Sequence, residues 1–371
     1  MATLIGTSGN DRLIAPDSRE DDTIAGAAGD DFIEARGGND LIDPGTGNDR
    51  VEGGDGRDTV RVMGDQSQYQ VFRYDDEGVI RGPDGVDTTL DVEAVQFTGV
   101  GGTLDMSDVN EFFTYAYVAS YDDLTQSIGA NPGAAWAHFR DFGAKEGRDI
   151  TFDGNAYLAA NVDVLAGLGA NANESGAKHY LEYGRAEGRS TQFDALSYTA
   201  SYDDLIDSFG TNKEAATYHF VQEGFNEGRG ITFNGLEYIA SNEDLLGAFG
   251  NIESTYDLEA AGAGHYIEFG REEGRQTSFD GIQYLASYTD LIDAFGEQGS
   301  NDAYADRGAL HYIQDGFGED RAADLFNEES YAAANADLGA AGITSADALA
   351  LHWIQFGYAE GREGAYDPVI A

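Results

Sequence analysis

The first sixty residues contain a nine-residue repeat of glycine, aspartate and a branched aliphatic residue. In six copies an Asp is followed two residues later by Leu, Ile or Val, and consecutive copies are nine residues apart except at the first interval, which is eleven. The six aspartates are Asp11, Asp22, Asp31, Asp40, Asp49 and Asp58. Each copy can form a glycine-rich loop and a short strand whose middle residue points inward. Stacked turns of this kind bury a column of aliphatic side chains.

The loops of this repeat carry the oxygen ligands that calcium prefers, namely an Asp carboxylate and backbone carbonyls that glycine lets approach an ion. We predict that all six aspartates bind Ca²⁺. The loop carbonyls that would join them lie near Gly9, Gly29, Gly38, Gly47 and Gly56. The copy with Asp22 departs from the pattern, because it lacks loop glycines and carries an insertion. Unneutralised carboxylate rows repel each other, so calcium binding and folding should be one coupled event.

The segments GAAGDDFIE, RGGNDLID, GTGNDRVE and GGDGRDTVR resemble the RTX nonapeptide G-G-x-G-x-D-x-U-x. The resemblance implies a calcium-binding parallel β-roll over residues 1–61. Residues 62–110 are β-rich, with the turn signals DDEG and GPDG, and resemble the segment that follows the repeats in many RTX exoproteins. This segment is expected to form a hairpin cap that covers the open end of the roll.

A second repeat, of 40 to 46 residues, fills the chain from Phe112 to Arg362. It has six copies, at about 111–151, 152–192, 193–232, 233–278, 279–325 and 326–364, which we call repeats 1 to 6. The histidines all share one repeat position: His138, His179, His219, His265, His311 and His352. An Arg stands ten residues after each His: Arg148, Arg189, Arg229, Arg275, Arg321 and Arg362. The pattern resembles helical repeats that accompany RTX segments in some bacterial exoproteins.

Each copy of the long repeat predicts two helices. An Asp or Asn is placed to cap the first helix: Asp153, Asp194, Asn234, Asp280 and Asn327. Glu237 and Gln283 stand three residues later as capping-box partners. The second helix carries the His and ends at a Gly five residues beyond it. We therefore predict an α+β multidomain protein, in which a parallel β-roll with a hairpin cap precedes an all-α solenoid of two-helix repeats over residues 111–371.

The repeated polar residues of the helical part allow three interpretations. The favoured one is an internal network in which the repeated Tyr, Asp, His, Glu and Arg side chains pair within each copy. A metal site at each His is the second, although a nearby Arg and a single His per copy argue against it. Catalysis is the third, and it has the weakest support, because acid–base or nucleophilic chemistry needs a unique group of residues and each His has five equivalents.

Charge and targeting signals narrow the functional class. With 68 acidic and 21 basic residues the formal net charge is −47, which excludes nucleic acid as a partner and disfavours anionic membranes. No transmembrane stretch or cleavable N-terminal signal is evident. The end of the chain, EGAYDPVIA, is similar to the uncleaved terminal signal of RTX proteins exported by type I secretion. We expect the protein to be extracellular or at the cell surface.

Together these features predict a secreted, calcium-binding, non-enzymatic structural or interaction protein. Its helical surface would bind a cell-surface polysaccharide or protein, and calcium removal should unfold residues 1–110 while sparing the helices. One alternative is a protein that scavenges or buffers metals through the repeated His positions. Another is an enzyme that acts on polysaccharide, or its carbohydrate-binding accessory. The sequence does not predict the oligomeric state.

Overall fold

The computed structural model describes residues 1–16, 19–169, 173–296 and 301–366. The chain divides into two compact units, Met1–Thr191 and Gln192–Ala371, which we call the N-terminal unit and the C-terminal unit. Strands come first in the N-terminal unit and helices follow, which agrees with the predicted α+β class. The predicted domain boundary at 110/111 lies inside the N-terminal unit. The last five residues of the predicted secretion signal lie outside the described residues.

Seven short strands follow the nine-residue repeat. They are β1 Thr3–Ile5, β2 Arg12–Ile14, β3 Thr23–Ala25, β4 Phe32–Glu34, β5 Leu41–Asp43, β6 Arg50–Glu52 and β7 Thr59–Val62. Each strand pairs in parallel with the strand two repeats away, so that β1, β3, β5 and β7 share one sheet and β2, β4 and β6 share another. In this register Ile24 lies beside Ile42, and Ile33 lies beside Val51.

The aliphatic residue of each repeat points into the space between the two sheets. Ile24, Ile33, Ile42, Val51 and Val60 are completely buried there. The short strands bury this one column of side chains, while their flanking residues remain partly exposed. The predicted inward-facing aliphatic positions are therefore confirmed in five of the six copies, while Leu13 of the first copy is only partly buried against this core.

The β-rich segment after the repeats contains five strands. They are β8 Gln70–Tyr74, β9 Glu77–Gly82, β10 Gly85–Leu90, β11 Ala94–Phe97 and β12 Thr103–Asp105. Strands β8, β9 and β10 form an antiparallel meander, as the predicted hairpin requires. The prediction of a simple hairpin cap is nevertheless incomplete, because β10 also pairs in parallel with β6 and β11 pairs in parallel with β7.

The long repeats form short helices. In the N-terminal unit these are α1 Thr114–Ala119, α2 Asp122–Ser127, α3 Pro132–His138, α4 Gly154–Ala160, α5 Val162–Leu168 and α6 Asn173–His179. In the C-terminal unit they are α7 Ala195–Ala200, α8 Asp203–Phe209, α9 Lys213–His219, α10 Gly235–Ala240, α11 Glu243–Phe249, α12 Thr255–His265, α13 Gly281–Ala286, α14 Thr289–Phe295, α15 Asn301–His311, α16 Glu328–Ala334, α17 Ala336–Ala340, α18 Ala346–His352 and α19 Tyr358–Glu360. Each His-bearing helix continues into a π-helical turn, such as Phe139–Gly143 after α3.

The prediction of two helices per repeat is wrong, because the first predicted helix is broken into two. In repeat 1 the break falls between Ser120 and Tyr121, where the Tyr121 backbone is extended. The Ser120 hydroxyl donates to the Ala116 carbonyl and accepts from the amides of Thr151 and Phe152. Asn161 bridges the corresponding positions of repeat 2 through its amide nitrogen. The break thus lets one polar side chain fasten the chain segment that leads into the next repeat.

The predicted N-caps are confirmed at all five positions, where each side-chain oxygen accepts from a backbone amide of the first helical turn. The predicted capping-box partners do not reach back to their own caps. Glu237 instead accepts from the amide of Gly281 at the start of the next repeat. Gln283 is buried, and the structure gives its amide group no hydrogen-bond partner.

Repeat 1 packs directly on the β-rich segment. Trp136 stacks on Tyr74, with the ring centroids 5.6 Å apart, and Phe139 meets Phe72 edge to face at 4.8 Å. The Trp136 indole and the Arg140 guanidinium both donate to the Glu77 carboxylate. This shared core explains why the compact unit extends past the predicted boundary at 110/111.

Candidate calcium centre

The repeated aspartates form a ladder along the stacked turns. The backbone amide of each of the first four ladder aspartates donates to the Oδ1 of the Asp two repeats later, as Asp31 does to Asp49 at 2.7 Å and Asp40 to Asp58 at 2.8 Å. Asp11 and Asp22 donate in the same way to Asp31 and Asp40. Asp22 therefore takes its place in the ladder although its loop lacks glycine.

One oxygen of each inner carboxylate remains without a partner. The Oδ2 atoms of Asp22, Asp31, Asp40, Asp49 and Asp58 are buried and make no hydrogen bond, and the five side chains are at most 3% exposed. A buried carboxylate oxygen without a donor is costly unless a cation neutralises it. The observation marks these five atoms as candidate ligands.

A backbone carbonyl lies close to the free oxygen at several turns, beside a glycine. A Cβ added to Gly26 would overlap the carbonyl oxygen of Pro44 and lie 2.5 Å from Asp31 Oδ2. We call this arrangement of a carbonyl oxygen and a carboxylate oxygen around a glycine a glycine notch. Gly6 lies in the same way between the Gly26 carbonyl and Asp11 Oδ2, but that Oδ2 is not free, because it accepts from the amide and the hydroxyl of Thr7. Carboxylate and carbonyl oxygens that converge on one space are the donor set of Ca²⁺. The residues present therefore fit calcium.

The predicted carbonyl ligands are placed unevenly. The carbonyl oxygens of Gly29, Gly38 and Gly47 each lie against the glycine two turns further along the stack. The carbonyl carbon of Gly9 lies against Gly29 in the same way, and Gly56 lies against the Gly38 carbonyl, but a Cβ added to Gly9 would meet only open space. The backbone at Gly38 and Gly47 has φ of 128° and 138°, a region that L residues rarely adopt, so glycine is required there.

Burial perturbs the protonation of the ladder when no cation is bound. Desolvation raises the pKa of Asp49 and of Asp58 to about 6, with neighbouring carboxylates adding to the effect. Burial also raises the pKa of Asp31 and Asp40. A cation that ionises these groups must therefore displace protons.

A second, outer ladder was not predicted. It uses the residue that precedes each ladder Asp, and here the donor lies in the later turn. The Asn39 amide donates to Asp21 Oδ1 at 2.8 Å, the Asn48 amide to Asp30 Oδ1 at 2.8 Å, and the Arg57 amide to Asn39 Oδ1 at 2.9 Å. The signal in the sequence is the recurrence of Asn or Asp at this position, which satisfies loop amides along the stack.

Two acidic residues of the β-rich segment also occupy ladder positions that sequence reasoning missed. The amide of Asp49 donates to Asp87 Oδ1 at 3.0 Å, and the amide of Asp58 donates to Glu93 Oε2 at 2.7 Å. A signal was present, since DGVDTTL at 84–90 resembles DGRDTVR at 55–61. It was missed because Thr89 replaces the aliphatic residue that defined the repeat.

A family model of the RTX calcium-binding nonapeptide repeat, in four copies, matches residues 18–51 and 45–64. The N-terminal region carries RTX calcium-binding repeats. The RTX resemblance predicted from the sequence is therefore confirmed for this region. RTX repeats are calcium-binding motifs typical of secreted proteins.

The other comparisons add little to the RTX match. A search of curated proteins finds no match. Among solved structures, the crystal structure of the extracellular lipase LipA from Serratia marcescens matches with 17% identity and a TM-score of 0.17. That match covers 30% of this chain and 19% of the lipase chain.

The repeated histidines outside the RTX region each pair with a tyrosine of the same repeat. The Tyr hydroxyl and the His Nδ1 share a hydrogen bond of 2.8 to 3.0 Å in every repeat. The tyrosines are Tyr117, Tyr157, Tyr198, Tyr238, Tyr284 and Tyr331, and all are completely buried. Among the described residues, no group of three or more His, Asp or Glu side chains is arranged to hold a metal ion.

Each repeated arginine bridges two carboxylates of its own repeat. Arg148, for example, contacts Asp123 at 2.9 Å and Glu146 at 2.7 Å. The same pair of contacts recurs at Arg189, Arg229, Arg275, Arg321 and Arg362. The structure thus separates the repeated polar residues into a Tyr–His pair and an Asp–Arg–Glu bridge.

Membrane insertion was not expected from the sequence. In the described part of the chain, no helix has both the length and the apolar character needed to cross a bilayer.

Proposed function

We propose that the protein is secreted and that its N-terminal region is an RTX β-roll that folds around calcium outside the cell. The observation that carries this proposal is the row of five buried Asp Oδ2 atoms without partners. Extracellular calcium sites can be weak, on the order of 10⁻⁴ to 10⁻³ M, because calcium is abundant there. The aspartates would then be neutralised only after export.

Chelator-reversible calcium titration tests this proposal. Calorimetry should detect calcium binding, and far-UV circular dichroism of the full chain should gain β structure as calcium is added. Asp31→Asn and Asp40→Asn keep the side-chain acceptor of each ladder bond while removing one charge, so each should weaken binding. Glu253→Gln, at an exposed position of the C-terminal unit, is a charge-matched control. Unchanged binding in both ladder variants would refute the proposal.

We propose that the helical repeats are a non-enzymatic scaffold that binds a cell-surface polysaccharide or protein. The Tyr–His pairs and Asp–Arg–Glu bridges support a structural role for the repeated polar residues, since all are engaged within their own repeat. Four exposed aromatic residues recur four positions after the His: Phe142, Tyr183, Phe269 and Phe356, each more than half exposed. Each contacts the His ring of its repeat. Aromatic faces of this kind combine large apolar area with low conformational entropy cost on binding.

Replacement of the four exposed aromatic residues by Ala tests the scaffold role. The variant should keep its helix content, because these side chains point to solvent, and should lose binding to intact cells or to their isolated polysaccharide. Gly167→Ala, at an open surface position of α5, is a control. Undiminished binding by the aromatic variant would count against this surface.

A further inference from the structure

The β-rich segment continues the parallel stack of the RTX turns at its open end. In β10, Thr88 and Thr89 pair with Arg50 and Val51 of β6. In β11, Ala94 and Val95 pair with Thr59 and Val60 of β7. One strand of this segment is thus added to each of the two RTX sheets, in the register of a further repeat.

The side chains in that register repeat the contacts of the ladder. Asp87 is 2% exposed and accepts from the Asp49 amide, as Asp49 accepts from the Asp31 amide. Glu93 accepts from the Asp58 amide, as Asp58 accepts from the Asp40 amide. A carboxylate therefore stands at the last position of each row.

The glycine notch also recurs between the RTX turns and this segment. A Cβ on Gly53 would overlap the Asp91 carbonyl oxygen and lie 2.8 Å from Asp58 Oδ2. Asp58 is completely buried, and that Oδ2 has no partner. The arrangement matches the notch at Gly26, where Asp31 Oδ2 is also without a partner, except that the carbonyl now comes from outside the six nonapeptide copies.

The last position is open to solvent on one side. Asp91 and Glu93 line a cleft of about 190 Å³ whose wall also includes Asp76, Glu77 and Asp105. A hydrated cation could therefore reach Glu93 without passing through the stack. The carboxylates around the cleft would raise the local cation concentration.

We propose that this segment completes the calcium-binding rows of the roll. Asp87 supplies the last carboxylate of one row, while Glu93 and the Asp91 carbonyl supply the last ligands of the other. The inference rests on the proposed calcium function and extends it from the six nonapeptides to residues 85–94. Calcium then binds across the junction between the roll and the strands that cover it.

Calcium at this junction is coupled to repeat 1. Val86, the neighbour of Asp87 in β10, belongs to the core that contains Phe112, Trp136 and Phe139. Strand β9, which pairs with β10, carries the Glu77 that binds the Trp136 indole. Trp136 therefore reports on the order of these strands, and repeat 1 should not be spared when calcium is removed.

The test uses the full chain with Trp353→Phe, so that Trp136 is the only tryptophan. Asp87→Asn and Glu93→Gln are compared with the parent by calcium calorimetry and by Trp136 fluorescence. Each variant should bind fewer calcium ions or bind the last ion about tenfold more weakly, since affinity follows ligand charge. The calcium concentration that shifts Trp136 fluorescence should rise accordingly. Glu253→Gln, which alters an exposed carboxylate of the C-terminal unit outside this cleft, should behave as the parent.

The outcomes separate this inference from the proposed function. If Asp31→Asn weakens calcium binding while Asp87→Asn and Glu93→Gln leave stoichiometry, affinity and the Trp136 transition unchanged, the inference is wrong and the calcium function stands. If the parent protein binds no calcium, both fail. Should Asp87→Asn not fold in saturating calcium, Glu93→Gln decides the question, because Glu93 is only partly buried at the rim of the cleft.

Discussion

The hydroxyl of Tyr198 occupies the space that a Cβ at position 224 would need. A methyl group on Gly224 would overlap this hydroxyl, which also bonds to His219 Nδ1 at 3.0 Å. The same contact holds in the other repeats, where the Gly five residues after the His lies against the buried Tyr. This glycine is therefore required for close packing between two helices of one repeat.

Gly224→Ala should destabilise the C-terminal unit by about 1–3 kcal/mol, because the buried Tyr198 ring cannot move away without strain. Gly247→Ala is a control of opposite sign, since Gly247 lies inside α11 with open space around its Cα. That change should stabilise by about 0.5–1 kcal/mol through helix propensity. Urea unfolding followed by circular dichroism measures both. Equal stability of the two variants would contradict the close-packing argument.

Much of the fold was predictable from the sequence, because the features that predict it are local. The N-caps and the inward aliphatic residues follow from short-range rules of helix ends and strand alternation. The break after Ser120 was not predictable in the same way, since it depends on hydrogen bonds to Thr151 and Phe152 about thirty residues away. The roles of Asp87 and Glu93 were missed for a related reason, because they depend on parallel pairing with strands far earlier in the chain.

Asp320 provides a test of why the middle position of the E-G-R motif is usually glycine. It replaces the glycine of the E-G-R motif in repeat 5 and has φ of 54°, while the glycines at 147, 188, 228, 274 and 361 have φ of 66° to 73°. A left-handed backbone costs an L residue more than glycine. Asp320→Gly should therefore stabilise the C-terminal unit by up to about 1 kcal/mol, and Gly274→Asp should destabilise it by a similar amount.

Thermal unfolding followed by Trp353 fluorescence measures these two changes, since Trp353 is buried in the C-terminal unit. Trp136→Phe removes the other tryptophan from the signal. A melting temperature that falls in Asp320→Gly would show that the Asp side chain makes a contribution larger than the backbone cost.

Glu259 should make the stability of the C-terminal unit depend on pH. Burial raises its pKa from 4.5 to about 8, and the carboxylates of Asp194 and Asp306 add to the effect. Because the folded-state pKa is raised, the folded protein holds a proton that the unfolded chain releases. The associated stability is present below about pH 4.5 and is lost as the pH rises to about 8.

Glu259→Gln should remove this dependence. The variant should match the parent near pH 5 and unfold at a higher temperature than the parent at pH 8, as measured by calorimetry. Glu268→Gln alters an exposed carboxylate of the same repeat and serves as the control. A Glu259→Gln protein that is less stable than the parent at pH 8 would mean that an ionised Glu259 has a favourable partner.

The calcium-free RTX region should also lose stability as the pH rises, but through other carboxylates. Asp49 and Asp58 have pKa values raised to about 6 by burial within the ladder. The calcium-free fold therefore binds more protons than the unfolded chain between about pH 4 and 6, and it loses stability as the pH rises through that window. Calcium needs the ionised carboxylates, so its stabilising effect should be larger at pH 7.5 than at pH 5.

Thermal melts at pH 5 and pH 7.5 measure how the melting temperature depends on pH with calcium and without it. Calcium-free protein should melt at a higher temperature at pH 5, and added calcium should reverse the order. General charge repulsion in so acidic a chain would also favour pH 5, so the control is the pair Asp49→Asn and Asp58→Asn combined. Because the amides do not titrate, the calcium-free combined variant should lose most of the difference in melting temperature between pH 5 and pH 7.5. If it keeps the full difference, the buried ladder is not its source.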